Sequence, residues 1–424
     1  MLHLTEQEYT TAGGIPVYVL PSPHLHSFSL SLYVRGGALY ESKETAGISH
    51  FIEHLIFRSI NRYMDGALYR TLDRLGLAVE GVTYREFLQF SVTGAPAHFA
   101  EAAQILSYAL LPLRLTAEDL STERARVKAE IREEGERTSL DFFTDGILYG
   151  DHPLARPITG TAGTLKCMTS ARLEAARAQL FSKENIFFYL TGNLPEGGID
   201  TLLAATASAR PASAPVRDNT VPRPAGYFAR NACVAIKGSP KTLVRLSFDI
   251  DTTRYTDAEL TLLYDILVGD GEESLFHQAL SEKTGMIYGF RGYMDLYRNL
   301  GSIGVSYEIP PAGLLPSLRL ALDAIRQAKT DAAAALPFVR ASYVDNAAFL
   351  FDDAAALSFN RAYERYILRL PYPTVGDRAR AYERVTGERL SAVAREIFCP
   401  ENATLTLKGR RIDTATLREF LLKL

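Results

Sequence analysis

The chain has 424 residues, of which 47% are hydrophobic and 22% are charged, and its formal net charge is -3. This length predicts two or more folding units, because single domains usually hold about 100–200 residues. The small net charge gives no electrostatic argument for nucleic acid or an acidic membrane as a partner, and no apolar run approaches the roughly 20 residues of a membrane helix.

The first half of the chain mixes strand-like and helix-like patterns. Alternating or aromatic-rich runs predict strands, and longer amphipathic runs predict helices. In chain order we predict strands at 15–21 and 28–34, helices at 47–58 and 66–75, two strands meeting at a turn within 77–93, helices at 98–111 and 117–138, and a strand at 184–192.

The second half repeats this order loosely, which predicts a structural duplication. Its elements are a strand at 242–250, helices at 257–268 and 273–283, strands at 286–295 and 301–309, several further helices and a last strand at 403–409.

A proline-rich segment at 207–226 separates the two halves. Its four prolines favour an extended linker over a helix. We therefore predict a domain at 1–206, a linker at 207–226 and a second, similar domain at 227–424. Strands that mostly alternate apolar with polar residues, outside a strict β-α-β order, favour an α+β fold with largely antiparallel sheets.

A metal-binding pattern lies in the first predicted helix. His50 and His54 are four residues apart, so both imidazoles lie on one helix face and can share an ion. Glu53 can then accept a proton from a water at the open position of a catalytic zinc site. The alternative is a helix with a polar face and two incidental histidines. The apolar residues around the histidines favour the metal-binding interpretation, because a bound metal offsets the cost of burying these polar groups. The spacing is also a known zinc signature.

A second motif lies at 123–131, where Glu123 and Glu130 are two helical turns apart on one face, and 75 residues separate Glu130 from His54. Taken alone, such a charge-dense helix is more typical of a solvated surface, the interpretation we keep for Glu133, Glu134 and Glu136. Together, however, the two motifs resemble the pitrilysin and insulinase family of zinc metallopeptidases, the inverzincins, and especially bacterial-type subunits similar to those of mitochondrial processing peptidase. The resemblance implies that Glu130 is the third zinc ligand and that Glu123 supports the site.

The resemblance also implies two similar domains, each with helices packed on one face of its sheet. Relatives carry Asn-Ala-x-Thr on a strand that pairs with extended substrate, and here the segment is Glu80-Gly81-Val82-Thr83. The same four residues are therefore expected to bind substrate through the main chain. For Glu80, a solvated loop residue remains the alternative.

A second departure from the family pattern lies in the second half. Relatives supply an arginine and a tyrosine, seven residues apart, that bind substrate and stabilise the oxyanion. Here Tyr288 is present, but Ser281 stands at the arginine position. Arg291 or Arg298 is a candidate replacement that the spacing does not single out. Tyr288 is carried over as a catalytic residue, with an ordinary core or strand tyrosine as the alternative.

These residues favour a zinc-dependent endopeptidase subunit that hydrolyses short or unfolded peptides, with precursor or leader-peptide processing as one role. Some relatives divide the zinc motif and the arginine-tyrosine pair between two chains, which implies a heterodimer with a homologous subunit; a homodimer stays open. The alternative from another class is a non-catalytic peptide-binding or assembly subunit. A metal-storing protein is disfavoured, because structural zinc favours four ligands and cysteine.

The cellular compartment is inferred from cysteine usage and from the amino terminus. Cys167, Cys233 and Cys399 are sparse and odd in number, which favours a reducing compartment over a disulfide-built secreted domain. The first residues lack the basic and apolar regions of a signal peptide. We therefore expect a cytoplasmic protein.

Overall fold

A computed structural model of the chain describes residues 3–133, 139–410 and 412–424. The strands in these residues form two sheets. They are β1 (Gln7–Thr10), β2 (Pro16–Pro21), β3 (Phe28–Arg35), β4 (Ala78–Thr83), β5 (Phe87–Gly94), β6 (Ile186–Gly192), β7 (Ala232–Lys237), β8 (Thr242–Ile250), β9 (Phe290–Leu296), β10 (Gly301–Ile309) and β11 (Ala403–Gly409).

The α-helices of the described residues lie between and after these strands. They are α1 (Ile48–Tyr63), α2 (Leu68–Leu75), α3 (Phe99–Ser107), α4 (Ala117–Glu133), α5 (Leu140–Tyr149), α6 (Ala162–Lys166), α7 (Ser170–Leu180), α8 (Gly198–Ala205), α9 (Asp257–Val268), α10 (Leu275–His277), α11 (Leu314–Thr330), α12 (Leu336–Tyr343), α13 (Ala354–Ala362), α14 (Val375–Glu383), α15 (Gly387–Ile397) and α16 (Thr414–Leu421). No helix in the described part of the chain combines the length and apolar character needed to cross a membrane.

Both sheets are mixed but largely antiparallel. The first has the strand order β1-β2-β6-β3-β5-β4, and the second has the order β7-β11-β8-β10-β9. Only the β2–β6 and β7–β11 pairs are parallel among the described strands. The predicted α+β fold of two similar domains is confirmed.

The chain divides into two compact units, each built on one sheet. The described residues of the first unit are 3–133, 156–219 and 348–374, and those of the second are 139–155, 220–347, 375–410 and 412–424. Residues 139–155 thus belong to the second unit although they lie in the first half of the sequence, and residues 348–374 belong to the first unit although they lie in the second half.

In the first unit, the segment 348–374 covers the face of the sheet that carries polar side chains. The apolar face of β3 packs into the core with α1 and α3. On the opposite face, Tyr33 hydrogen-bonds Ser358 of α13 at 3.4 Å and accepts a hydrogen bond from Gln89 at 3.1 Å. Helix α13 therefore supplies a further hydrogen-bond partner to a polar group that is fully buried.

In the second unit, α5 packs on β8 and β11 in the corresponding way. The hydroxyl groups of Thr144 on α5 and Thr406 on β11 are 2.5 Å apart. Asp249 of β8 forms an ion pair with Arg230, and both side chains are almost fully buried. The Arg230 guanidinium also donates a hydrogen bond to the carbonyl of Leu148. This face is held by polar contacts, whereas the other face of the sheet packs into the apolar core of the unit.

Most predicted elements are confirmed, with boundaries that shift by a few residues. The predicted strand and helix at 242–250 and 257–268 match the structure. Part of the predicted helix 117–138 lies outside the described residues, which leave out 134–138.

Two predictions near Tyr288 are confirmed with shifted boundaries. The helix predicted at 273–283 is a shorter helical segment, the single turn α10 followed by a π-helix at Gln278–Glu282. The strand predicted from residue 286 begins only at Phe290, which pairs with Tyr307 of β10. Gly285, with a φ of 56°, adopts the left-handed backbone conformation at the end of the helical segment, where its N–H donates to the Ser281 carbonyl at 2.7 Å.

We predict that Asp249→Asn lowers the free energy of unfolding by about 3 kcal/mol, because Arg230 would remain buried without its counter-charge. Urea-induced unfolding measures the change. Asp323→Asn is the control: it removes the exposed Arg326–Asp323 pair of the same unit, and we expect a loss below about 1 kcal/mol. Equal losses in the two variants would contradict the prediction.

Candidate metal centre and peptide-binding edge

Helix α1 presents its two histidines side by side next to an apolar core. Phe51, Ile52 and Leu55 are fully buried and fix the rotation of the helix against the first sheet. His50 and His54 lie one turn apart, with ring centroids separated by 4.7 Å. The predicted i,i+4 geometry is therefore present.

Helix α4 brings Glu130 to both imidazoles. Its Oε2 atom lies 3.7 Å from Nε2 of His50 and 3.6 Å from Nε2 of His54. Ligand atoms about 2.1 Å from a tetrahedral zinc ion are about 3.4 Å from one another. The observed separations are thus too long for strong hydrogen bonds but close to those of ligands that share one ion. Among the described residues, these three form the one group of histidine, cysteine or carboxylate side chains with metal-ligand spacing.

The protonation chemistry of His50 also fits a metal ligand. Burial, together with the neighbouring His54, lowers the pKa of His50 to about 4. The imidazole is therefore neutral at pH 7 and has a lone pair available, as a metal ligand requires. Two imidazoles and one carboxylate are also a donor set of catalytic zinc sites, which keep a fourth position open.

Glu123 of α4 contacts two side chains of α1, His54 and Arg58. Its side chain is 1% exposed, and its Oε2 atom is 3.2 Å from Nδ1 of His54. Arg58 donates to its Oε1 atom at 2.5 Å, and Arg126 donates to the same atom at 3.2 Å. A hydrogen on Nδ1 leaves Nε2 of His54 as the atom that faces Glu130.

The two arginines were not predicted as part of the site. Their sequence spacing could have identified them, because Arg58 follows His54 by four residues and Arg126 follows Glu123 by three. Side chains at these separations lie on the same helix face.

Glu53 lies beside the metal group but is not one of its three members. The Thr83 hydroxyl donates to its Oε2 atom at 3.3 Å, and burial raises the pKa of the Glu53 carboxyl. A Cβ atom at Gly81 would lie 2.8 Å from Oε1 of Glu53 and 2.5 Å from the ring of Phe57. Glycine therefore allows the β4 backbone to approach the carboxylate closely.

Strand β4 is the edge of the first sheet. It pairs with β5, and no other strand in the described chain lies on its far side. Because side chains alternate along a strand, Gly81 and Thr83 face α1, whereas Glu80 and Val82 point to the opposite face. Glu80 is exposed. The four predicted substrate-binding residues thus lie on a strand with a free edge, next to Glu53.

Tyr288 belongs to the second unit and is fully exposed in the segment before β9. It lines a surface groove of that unit together with Arg291. Arg298 lies beyond the other end of β9, and Ser281 lies in the π-helix. Of the two candidate replacement arginines, the structure therefore brings Arg291 to the groove of Tyr288.

Comparisons with known proteins agree with this fold. Residues 17–162 match the family model described as insulinase (peptidase family M16), and residues 168–335 match the model described as peptidase M16 inactive domain. An uncharacterized zinc protease of Mycobacterium tuberculosis is 24% identical over 411 residues, which cover 93% of this chain and 91% of that protein.

Solved structures show the same fold at lower identity. A peptidase M16 inactive domain from Pseudomonas fluorescens superposes with a TM-score of 0.83 at 18% identity and covers 96% of this chain and 99% of that one. A protease from Helicobacter pylori also gives 0.83, at 15% identity, and covers 96% and 100%. The two matched family models together span most of the sequence, and the chain belongs to the insulinase family of peptidases, family M16.

Proposed function

We propose that this chain is the zinc-bearing subunit of a metalloendopeptidase that hydrolyses short or unfolded peptides. The observation that carries the proposal is the convergence of His50, His54 and Glu130 beside the buried carboxylate of Glu53. The zinc protease names of similar proteins support the same metal.

In the proposed reaction, several residues of the first unit have separate chemical roles. Bound zinc would supply a Lewis acid that polarises a carbonyl and lowers the pKa of water toward neutrality. Glu53 accepts the proton of the attacking water and passes it to the leaving amine. Thr83 holds the Glu53 carboxylate by its hydrogen bond, and Glu123 orients the imidazole of His54.

The free edge of β4 supports an extended substrate. A peptide that adds to this edge forms main-chain hydrogen bonds, which depend little on side-chain identity. Only short or unfolded peptides can adopt this conformation at an enzyme surface. We therefore assign Glu80, Gly81, Val82 and Thr83 to substrate binding and favour precursor or leader-peptide processing as the role.

Ser281 supports a homologous partner subunit. The family arginine is missing from the second unit, while Tyr288 is retained and exposed. A second chain with the arginine-tyrosine pair would supply the missing cation, as a heterodimer; a homodimer would need Arg291 to replace it. A cytoplasmic location remains part of the proposal and rests on the sparse, odd number of cysteines in the sequence.

The competing function is a non-catalytic peptide-binding or assembly subunit. The inactive-domain description of the second matched region and the serine at 281 favour it. The complete set of His50, Glu53, His54, Glu123 and Glu130 in one cluster favours the enzyme, because a binding subunit has no need of the base.

We predict that Glu53→Gln retains zinc but hydrolyses unfolded peptides at least about 100-fold more slowly, because the amide cannot accept the proton. Elemental analysis measures the zinc, and cleavage of a quenched fluorescent peptide measures the rate. Retained zinc with an unchanged function of the protein would support the binding subunit instead.

We predict that Glu123→Gln weakens zinc binding by about 10- to 100-fold, because the charged acceptor for His54 is lost. Competition with a chelator measures the affinity. Asp119→Asn is the matched control, since Asp119 joins the same two helices through Arg62 at 2.9 Å without contacting a histidine. The control should lose stability and keep its affinity; similar losses of affinity in both variants would refute a specific role of Glu123.

We predict that the isolated, zinc-loaded chain is a poor peptidase and that Ser281→Arg raises its kcat/KM by at least about tenfold, because a guanidinium is restored at the family position. Ser281→Gln controls for side-chain length and should change little. If the isolated wild-type chain cleaves peptides as fast as the co-purified pair of subunits, the heterodimer proposal is wrong.

A further inference from the structure

The metal-binding helix begins without a capping side chain of its own. Its N-cap residue is Gly47, with a φ of 86°, and glycine offers no acceptor for the first N–H groups of the helix. Glu41, six residues earlier, takes this role. Its Oε2 atom accepts a hydrogen bond from the Gly47 N–H at 2.7 Å, and its Oε1 atom accepts one from the Ser49 N–H at 2.9 Å.

This cap is buried and held in place by the surrounding chain. Glu41 is buried, with only 7% of the residue exposed. Arg156 donates a hydrogen bond to the main-chain carbonyl of Glu41. The Gly37 N–H donates to the Ser49 hydroxyl at 3.0 Å, so a second contact ties the same loop to the helix.

The helix start also abuts a third segment. A Cβ atom at Gly47 would lie 2.6 Å from both the Thr159 carbonyl oxygen and the Cα atom of Gly160. The backbone is therefore closely packed here, and the charge of Glu41 lies at the positive end of the helix dipole. The start of α1 is fixed by hydrogen bonds on one side and by backbone packing on the other.

His50 follows the capped residue Ser49 directly, and Glu53 and His54 follow within the next turn. A shift or rotation at the start of the helix would therefore move the histidines relative to Glu130, which is carried by α4. We infer that Glu41 is a positioning residue that sets the placement of α1 so that both histidine Nε2 atoms meet the Glu130 carboxylate. The inference rests on the metal site of the proposed function.

The experiment compares zinc affinity with thermal stability. Glu41→Ala removes both hydrogen bonds, whereas Glu41→Gln keeps one acceptor oxygen and loses the other. We expect Glu41→Ala to weaken zinc binding by at least about tenfold in chelator competition and to change the visible absorption bands of the Co²⁺-substituted protein. Glu41→Gln should lie between Glu41→Ala and the wild type.

Thr256→Ala is the matched control, because Thr256 caps α9 in the second unit, where no metal group is found among the described residues. It should lower Tm and leave the zinc affinity and the Co²⁺ spectrum unchanged. A folded Glu41→Ala protein with lower Tm but wild-type affinity and spectrum would overturn the inference. If Glu41→Ala does not fold, wild-type affinity in Glu41→Gln overturns it. A wild-type chain that binds no zinc would overturn the proposed function itself.

Discussion

The buried carboxylate of Glu123 is the constraint on which the arrangement of the candidate site depends. A carboxylate that is almost wholly removed from water costs several kcal/mol unless it is paired and hydrogen-bonded. Here the pairing groups come from both helices: Arg58 and His54 from α1, and Arg126 from α4 itself. Helices α1 and α4 can therefore dock in few ways that satisfy Glu123. The docking that satisfies it also brings Glu130 to the two imidazoles.

Much of this cluster follows from local rules that the sequence displays. The four-residue spacing of His50 and His54 and the seven-residue spacing of Glu123 and Glu130 fix one face on each helix. The 75 residues between His54 and Glu130 contain no local signal that the faces meet; the resemblance to the insulinase family predicted that they do. The hydrogen bond between Thr83 and Glu53 is a tertiary contact of the same kind, which the strand pattern alone does not indicate.

The features that escaped prediction are those in which distant segments satisfy polar groups. A cap is usually sought at the residue just before a helix, whereas Glu41 reaches α1 from six residues upstream. The assignment of residues 139–155 and 348–374 to the unit of the other sequence half was not predicted for a similar reason. Tyr33 on β3 indicates a buried polar face, but nothing near it in the sequence indicates that Ser358 will cover it. The boundaries around the π-helix were missed because i→i+5 bonding has no simple sequence period.

The two departures from the family pattern have different consequences for the chemistry. At Gly81, the loss of a methyl group relative to the alanine of relatives leaves the β4 backbone free to lie against Glu53 and Phe57. The free main-chain edge, which we propose as the peptide-binding site, is retained, so this change alters the packing against Glu53 and Phe57 and not the edge itself. At Ser281, by contrast, a charge is lost, because the short, neutral side chain of serine cannot place a positive charge opposite a developing oxyanion as an arginine does. In the proposed function, the first unit therefore holds all the proposed proton-transfer and metal-binding groups, and the proposed partner chain would have to supply a single missing positive charge.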